Sequence, residues 1–468
     1  MKNTHIDFGI DSLRHAYASG ALTPVEVVGE AYRRIHAYSN PYVWTELVDE
    51  AQALSVASSL MERSVNDELP LYGIPFSVKD NIDVAGMKTT CGCSGFDSLP
   101  QVSAIGVSKA LKAGAILLGK NTLDQFATGL NGTRSLGGYC RNSFDERYVP
   151  GGSSSGSGVA VAAGLVSFAL GSDTGGSGRV PAAMNNVVGV KPSLGLVSSR
   201  GIVYNNRFFD CIPVFARDVQ DGYTVLACIR GYDAQDAFSR RDADAISLIA
   251  EIARNFRFAV PRADQLQFFG DEYACEAFEQ AVRNLEAIGG VRHDIDFSLF
   301  REAAHLPFDS GLLAERTISY GRILSDRPET IHPAVAAMLS KGAAYSGSEV
   351  LDALYRMFSL RRAAAVQLAP FDIVVTPTVG RAYTCTELEA NPIDLNNNIG
   401  YYTYGVSPLD LCALAIPSCI RPDGIPFGIS MLARAGYDGV LNELGMRYQH
   451  YVALPSGIEA KALLRAPC

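Results

Sequence analysis

Residues 150–181 read PGGSSSGSGVAVAAGLVSFALGSDTGGSGRVP, and they indicate the fold class more clearly than any other stretch of the 468-residue chain. Two loops rich in glycine and serine are separated by small and apolar residues. Within that run, residues 157–165 are typical of a helix and residues 166–170 of a strand. A helix and a strand joined in this way favour an α/β sheet fold.

The alternation of strand and helix continues on both sides of this stretch. The further segments are residues 72–84 (strand), 103–113 (helix), 115–118 (strand), 371–376 (strand) and 426–432 (strand). Thr23 and Glu26 form the sequence pattern of a capping box, which predicts the start of a helix. We predict a single α/β/α layered domain, with a large central mixed β-sheet covered by helices.

The predicted domain covers the whole chain, 1–468, and has five parts. They are N-terminal wrapping helices (1–65), a catalytic core (66–220), a helical cap-like segment (about 221–365), a return to the core (366–440) and a short tail (441–468).

Composition excludes several classes of function. The net charge of −9 and the absence of a basic stripe argue against a nucleic-acid partner. The longest informative apolar run, residues 159–170, is too short to span a membrane, and the first residues lack the apolar core of a signal peptide. The scattered cysteines complete no metal site. We therefore expect a cytoplasmic protein without a bound metal.

The glycine density of the two loops lets backbone N–H groups converge on one point. Such loops could cradle a phosphate, support a serine nucleophile with an oxyanion hole, or form two tight turns without chemistry. The phosphate interpretation lacks the Lys-Ser/Thr ending of a P-loop and the acidic residue that follows a dinucleotide fingerprint. The loops favour the nucleophile and leave the other two interpretations open.

A serine nucleophile needs a base, and Lys79 is the candidate that the sequence offers. None of the seven histidines stands in a motif-like setting. Lysine can replace histidine where burial keeps its amine neutral, because desolvation lowers the pKa of the ammonium group. Lys79 follows the apolar run 74–78, where a solvated lysine would be out of place. Simple exposure at the end of a strand is the alternative.

Two long motifs resemble those of the amidase signature family. Residues 73–90, GIPFSVKDNIDVAGMKTT, are similar to the family's lysine motif, and GGSSSGSG with GSDTGGSGRVPAA is similar to its serine-rich signature. Ser153 and Ser177 are 24 positions apart, as in the family pattern. GVKP at 189–192 and PFG at 426–428 also fit, and the resemblance spans roughly residues 20–440.

This resemblance implies amide hydrolysis by a Ser-Ser-Lys triad through an acyl-enzyme, with no metal or organic cofactor. Ser177 would be the nucleophile, Ser153 the proton relay and Lys79 the neutral base, and the peptide bond between Gly152 and Ser153 would be cis. The backbone N–H groups expected to form the oxyanion hole belong to Thr174, Gly175, Gly176 and Ser177. The residues expected to support these loops are Ser154, Asp173 and Arg179.

Within the family, finer details most resemble allophanate hydrolases. These details are the third serine of GGSSSGSG, TLDQFATG at 122–129, Gly178, Asn185 with Asn186, and LDLC at 409–412. Allophanate is a small anion with an amide at one end and a carboxylate at the other. Its hydrolysis would give ammonia and N-carboxycarbamate, which can then lose carbon dioxide.

The carboxylate of such a substrate needs a fixed cation, and arginine offers a bidentate fork. Arg316, in LAER at 313–316, resembles the arginine that holds this carboxylate; the alternative is a surface arginine paired with Glu315. The family places a tyrosine eight residues earlier, where this chain has Phe308, so one hydroxyl contact to the substrate would be missing. The residues expected to form a wall of the pocket are Thr128, Gly129 and Leu130.

Three other functions stay open, and the missing hydroxyl bears on the first of them. One is hydrolysis of another small amide, such as biuret, carboxybiuret or malonamate. A second is the glutaminase subunit of a tRNA-dependent amidotransferase, against which the acidic charge and the allophanate-like details argue. A third is a non-catalytic protein of the same fold. The resemblance also implies a homodimer. Allophanate hydrolases commonly carry a further C-terminal domain for the first product, so this chain is expected either to be truncated or to perform the first step alone.

Overall fold

Eleven strands form one mixed β-sheet in the computed structural model, which describes residues 6–62 and 69–465. In chain order the strands are Trp44–Leu47 (β1), Pro75–Lys79 (β2), Ile116–Asn121 (β3), Phe168–Leu170 (β4), Val188–Lys191 (β5), Val214–Ala216 (β6), Phe256–Pro261 (β7), Gly290–Ile295 (β8), Ile373–Pro377 (β9), Leu411–Ile420 (β10) and Pro426–Arg434 (β11). Their order across the sheet is β1-β3-β2-β4-β6-β5-β10-β11-β9-β7-β8. The strand β2 runs parallel to β3 and β4, and β7 runs parallel to β8 and β9. The other pairs are antiparallel.

Helices connect and cover these strands. They are Ile10–Ala18 (α1), Pro24–Ala37 (α2), Glu50–Met61 (α3), Ile105–Lys112 (α4), Ser155–Ala162 (α5), Val180–Met184 (α6), Val219–Ile229 (α7), Glu272–Ala287 (α8), Ser298–His305 (α9), Arg316–Asp326 (α10), Pro333–Ala343 (α11), Gly347–Leu368 (α12), Cys385–Ala390 (α13), Asp394–Ile399 (α14) and Asp438–Val452 (α15). The predicted capping box is present at the start of α2, where Thr23 Oγ1 accepts from the Glu26 N–H and Glu26 accepts from the Thr23 N–H.

Helices lie on both faces of the sheet. On one face, Gly445 of α15 packs so closely on Leu414 of β10 that it leaves no room for a side chain. On the other face, Gly428 of β11 packs against Ala183 of α6. The two contacts lie on opposite faces because Gly428 is paired with Pro417, an odd number of positions along β10 from Leu414. The predicted α/β fold, a large mixed sheet covered by helices, is therefore confirmed.

The predicted helical character of residues 221–365 is only partly right. This segment also contains β7 and β8, which pair with each other and extend the sheet beyond β9. The helix α8, whose sequence has a strong helical pattern, lies between these two strands. The prediction assigned the whole segment to helix and did not separate the short strands on either side of α8.

The longest strand, β10, has no counterpart in the sequence prediction. Its sequence LCALAIPSCI contains Pro417, and proline inside an apolar run ordinarily argues against a strand. The sheet tolerates this proline because the register of β10 and β11 shifts between Pro417 and Cys419. A local irregularity of this kind accommodates the missing N–H donor.

No helix within the described ranges combines the length and the apolar character that crossing a membrane requires.

Candidate active site

The sheet brings together side chains from distant parts of the chain. Lys79 is the last residue of β2, and Ser172 follows the parallel neighbour β4, so both lie at the same edge of the sheet. Ser153 immediately precedes the turn into α5, and Ser177 lies in the loop before α6. Lys79, Ser153 and Ser177, which the sequence singles out, therefore meet in one site.

A continuous chain of hydrogen-bonding groups joins the three residues. Lys79 Nζ lies 2.6 Å from Ser153 Oγ, and Ser153 Oγ lies 2.8 Å from Ser177 Oγ. Lys79 and Ser153 are fully buried, and Ser177 is 3% exposed. The peptide bond between Gly152 and Ser153 is cis, as the family resemblance implies. The arrangement gives a proton a path from the hydroxyl of Ser177 to the amine of Lys79.

The environment of Lys79 favours a neutral amine. Burial lowers its pKa to about 7, although the charges of Asp124, Asp210 and Asp173 act in the opposite direction. Lys120, on the neighbouring strand β3, is equally buried but forms an ion pair with Asp80 at 2.9 Å. Within residues 6–62 and 69–465, Lys79 has no such carboxylate partner and contacts only hydroxyl oxygens. Lys120 is held in its charged form by a carboxylate, whereas Lys79 lacks one among the described residues, and this difference explains how Lys79 can act as a base.

The sequence reading missed the second contact of this amine. Lys79 Nζ donates to Ser172 Oγ at 2.8 Å, and Asn81 Nδ2 donates to the same hydroxyl at 3.1 Å. Ser154, a predicted supporting residue, donates from Oγ to the Ser172 carbonyl at 3.2 Å. The signal in the sequence was the position of Ser172 inside GSDTGGSGR and of Asn81 inside the lysine motif.

One of the N–H groups expected in the oxyanion hole, that of Gly176, already has a hydrogen-bond partner in the loop before Ser177. The Gly176 N–H donates to Asp173 Oδ1 at 2.7 Å, so this amide is already occupied. Among the described residues, no acceptor contacts the N–H groups of Thr174, Gly175 and Ser177. These three donors remain for an oxyanion.

Asp173 and Arg179 support the loop, as expected. Arg179 Nε and Nη2 donate to the two oxygens of Asp173 at 2.9 and 3.0 Å, and both side chains are fully buried. Burial alone would raise the pKa of Asp173, but the charge of Arg179 and the hydrogen bonds hold that pKa below its ordinary value. Asp173 also accepts from the Gly178 N–H at 3.0 Å. The buried carboxylate thus fixes the backbone on both sides of Ser177.

A second buried carboxylate, Asp210, was not anticipated. It accepts a hydrogen bond from Thr174 Oγ1 and others from the N–H groups of Asn205 and Asn206 at 2.7 and 3.1 Å. Burial raises the pKa of Asp210 to about 6. Asp210 therefore holds the start of the loop that carries Ser177.

The predicted pocket wall lies directly beside the serine loop. The Gly152 N–H donates to the Leu130 carbonyl at 2.8 Å. Thr128 Oγ1 accepts from Asn205 Nδ2 at 3.0 Å. Gly129 has φ +159 and lies so close to Asp124 that a Cβ would be 2.6 Å from the carboxylate. Residues 126–130, called the wall loop below, are thus tied to the same framework as the triad.

Arg316 is fully buried, so the alternative of a surface arginine is wrong. Its Nη1 contacts Met338 Sδ, its Nη2 donates weakly to the Pro307 carbonyl at 3.4 Å, and its Nε has no hydrogen-bond partner within the described part of the chain. Burial lowers the pKa of Arg316 to about 10, so the guanidinium is still charged at neutral pH.

The pairing of Arg316 with Glu315, which belonged to the alternative of a surface arginine, is also absent. Glu315 instead accepts from the Arg207 N–H at 2.7 Å, and no carboxylate of the described residues forms an ion pair with Arg316. A buried cation without an anion is costly to the fold, so Arg316 calls for a functional explanation.

Phe308 connects Arg316 to the serine loop. Its ring centroid lies 5.2 Å from the Arg316 guanidinium and 4.3 Å from the ring centroid of Tyr404. A Cβ on Gly175 would be 2.8 Å from Tyr404 and 3.0 Å from Phe308, so both rings lie against the loop of Ser177. The same rings line a cleft of about 450 Å³, called the access cleft, together with Arg134, Arg301 and Met338.

The described residues hold no cluster of three or more His, Cys, Asp or Glu side chains that could bind a metal ion.

Comparison with known proteins gives the family. The amidase family model matches residues 26–441. Urea amidolyase from Lachancea kluyveri is 34% identical over 417 residues, which are 88% of this chain but 22% of that protein, so the chain spans about a fifth of that relative. A glutamyl-tRNA(Gln) amidotransferase subunit from Exiguobacterium sibiricum is 30% identical over 457 residues, covering 92% of this chain and 94% of that protein.

A solved structure of allophanate hydrolase from Kluyveromyces lactis superposes with a TM-score of 0.88 at 30% identity, covering 96% of this chain and 73% of that chain. The matches extend over most of the sequence and include the stretch that assembles the buried site. The chain belongs to the amidase signature family and is an amidohydrolase that acts on linear amides.

Proposed function

We propose that this chain hydrolyses allophanate (urea-1-carboxylate) with a Ser-Ser-Lys triad. The observation that carries the proposal is Arg316, a buried guanidinium without a carboxylate partner among the described residues. Phe308 contacts it and also lies against the loop of Ser177. A small molecule that carries both an amide and a carboxylate suits this pairing of nucleophile and cation. The likeness to urea amidolyase and to allophanate hydrolase supports the same substrate.

The charge of the access cleft supports an anionic substrate. Arg134 donates to the Thr128 carbonyl at 3.0 Å and Arg301 to the Tyr401 carbonyl at 2.9 Å, and neither forms an ion pair within the described residues. Asp309 and Lys341 also line the cleft and pair with each other. Arg134 and Arg301 therefore leave a locally positive field there, although the chain as a whole carries a net charge of −9. Such a field raises the rate at which small anions reach a site.

In the first step, the neutral amine of Lys79 accepts the proton of Ser153 while Ser153 Oγ accepts the proton of Ser177. Ser177 Oγ then forms a bond to the carbonyl carbon of the terminal amide. The carbonyl oxygen becomes an oxyanion, and the N–H groups of Thr174, Gly175 and Ser177 stabilise it. The existing distances of 2.6 and 2.8 Å along the relay need no rearrangement.

The intermediate then collapses, and its carbon–nitrogen bond breaks. Ser153 delivers a proton to the leaving nitrogen and recovers one from the Lys79 ammonium, so ammonia departs and the acyl group stays on Ser177. A water molecule, deprotonated through the same relay, attacks the ester carbonyl. The products are N-carboxycarbamate and the free Ser177 hydroxyl.

A second candidate is hydrolysis of another small amide of the biuret, carboxybiuret or malonamate type. Phe308 keeps this candidate open, because the tyrosine hydroxyl that the family resemblance implies for binding allophanate is missing here. A glutaminase role is also represented among the relatives, since the amidotransferase protein matches over 94% of its length. The homodimer implied by the family resemblance and the cytoplasmic location expected from composition stay predictions.

Ammonia release by the purified chain, with allophanate, biuret, malonamate and glutamine in parallel, tests the proposal. We expect allophanate to be turned over best. Arg316→Ala should lower kcat/KM for allophanate by about 100-fold or more, because two charge-assisted hydrogen bonds are lost. Arg322→Ala is the matched control, since Arg322 is an exposed arginine on the same helix α10. Turnover of glutamine or biuret in preference to allophanate would contradict the substrate.

A further inference from the structure

The proposed carboxylate site at Arg316 lacks one hydrogen-bond donor that the family resemblance implies. The family resemblance implies a tyrosine where this chain has Phe308, so the ring beside Arg316 carries no hydroxyl. The hydroxyl of Tyr404, which packs against Phe308, accepts a hydrogen bond from Asn396 Nδ2 at 2.9 Å and still has its own hydrogen to donate. The structure offers another buried hydroxyl on the helix that carries Arg316, and this one has no hydrogen-bond partner within the described residues.

That hydroxyl belongs to Tyr320. Tyr320 lies one helical turn after Arg316 on α10, so the two side chains project from the same face of the helix. Its side chain is fully buried, and its Oη has no hydrogen-bond partner within residues 6–62 and 69–465. A buried hydroxyl without a protein partner needs an explanation, and a bound water, a ligand or a specific role in the site are the ordinary ones.

The ring of Tyr320 packs on the wall loop. It stacks on Phe126 with ring centroids 4.2 Å apart and an interplanar angle of 25°. The Phe126 carbonyl accepts from Thr128 Oγ1 at 3.1 Å and from Asn205 Nδ2 at 3.1 Å. The backbone that carries the Phe126 ring is therefore held within the wall loop. The side chain of Tyr320 therefore extends from α10, the helix that also carries Arg316, onto the wall loop.

Two buried donors without partners thus come from one face of α10. The first is Tyr320 Oη, and the second is Arg316 Nε. Burial raises the pKa of Tyr320 well above its ordinary value and lowers that of Arg316, while the charge of Asp210 raises both. The tyrosine therefore stays protonated and remains a donor at neutral pH.

We propose that Tyr320 is a specificity-determining residue whose hydroxyl donates a hydrogen bond to the substrate carboxylate held by Arg316. It supplies from α10 the contact that Phe308 cannot make. The inference rests on the proposed function, because it assumes that Arg316 receives a carboxylate. It predicts that the protein binds an anionic amide more tightly than its neutral counterpart, and that this preference depends on the hydroxyl of Tyr320.

The test is a binding measurement that does not depend on turnover. Malonamate and its neutral analogue malonamide are titrated, by calorimetry, into the full chain carrying Ser177→Ala, with and without Tyr320→Phe. Loss of a hydrogen bond to a charged group should weaken malonamate binding about tenfold or more and leave malonamide unchanged. Adding Phe308→Tyr to the Tyr320→Phe chain should restore part of the affinity, because it returns a hydroxyl to the other side of the guanidinium.

Equal dissociation constants for malonamate in the two chains would overturn the role of Tyr320, even if the wild type releases ammonia from allophanate. No binding of malonamate in either chain would overturn the carboxylate site and the role of Tyr320 with it. Weaker malonamate binding in the Tyr320→Phe chain, combined with no turnover of allophanate by the wild type, would support Tyr320 and reject the proposed substrate.

Discussion

The amine of Lys79 lies 2.6 Å from the hydroxyl of Ser153, and both residues are fully buried. Ser172 contributes a second hydroxyl to the same amine at 2.8 Å. Hydroxyl groups stabilise an ammonium ion far less than a carboxylate does, so desolvation determines the protonation state of this lysine. The pair is therefore suited to pass a proton in either direction.

We predict that kcat/KM of the wild type rises with pH and becomes constant above about 7. Burial lowers the pKa of Lys79 to about 7, and only the neutral amine can accept the proton of Ser153. Below that pH the neutral fraction, and with it the rate, should fall about tenfold per pH unit. Ammonia release between about pH 5.5 and 9 measures this profile.

Lys79→Met, which keeps the apolar stem and removes the amine, is the companion variant. It should lose the pH-dependent activity altogether. A wild-type profile that is constant across the whole range would contradict a neutral lysine as the base.

A methyl group on the oxyanion loop should block the site without unfolding the protein. In Gly175→Ala, the new Cβ would lie 2.8 Å from Tyr404 and 3.0 Å from Phe308, so the rings or the loop must shift. We expect kcat/KM to fall by about 100-fold, because small displacements of reacting groups and donors have effects of this size. Steady-state kinetics and thermal unfolding of the same preparation measure the two effects.

Gly29→Ala is the matched control, because Gly29 lies within α2 and nothing lies within 4 Å of the added Cβ. This change should leave activity unchanged and stabilise the fold by up to about 1 kcal/mol. Full activity of Gly175→Ala would show that this part of the loop does not contact the substrate.

The buried pair of Asp173 and Arg179 should be essential for stability. Asp173→Ala leaves a fully buried guanidinium without its anion, and removing one partner of such a pair costs about 3–5 kcal/mol. Urea unfolding followed by circular dichroism measures the free energy of unfolding.

Asp97→Ala tests an exposed ion pair at the same distance, since Asp97 lies 2.9 Å from Lys88 with both side chains more than half exposed. Its cost should be below about 1 kcal/mol. Similar losses for the two variants would mean that burial does not set the contribution of the Asp173 pair.

Local sequence pattern was enough to predict some parts of the molecule and not others. Lys79, Ser153 and Ser177 stand in motifs whose residue types and spacing reflect the chemistry, so they could be named before the fold was known. The fold class followed from strands and helices that alternate around these motifs. The strand β10 could not be predicted, because Pro417 is tolerated only through a register shift with its partner strand.

Contacts that depend on the folded backbone escaped prediction. The motif shows that Gly176 is present, but only the turn shows that its N–H donates to Asp173 rather than remaining free. Ser172 belongs to the same motif, and its side chain points to Lys79 because β2 and β4 end together. Tyr320 lies in no motif, and its position became informative only once α10 was seen to pack on Phe126.

The role of Ser177 is the central claim, and one comparison tests it most directly. Ammonia release from allophanate is measured for the wild type and for Ser177→Ala at equal concentration, with circular dichroism to show that both are folded. We predict that the wild type releases ammonia and that the variant loses at least about 10⁴-fold in kcat, as expected when a nucleophile is removed. A folded Ser177→Ala chain that keeps more than about a tenth of the wild-type rate would contradict the account.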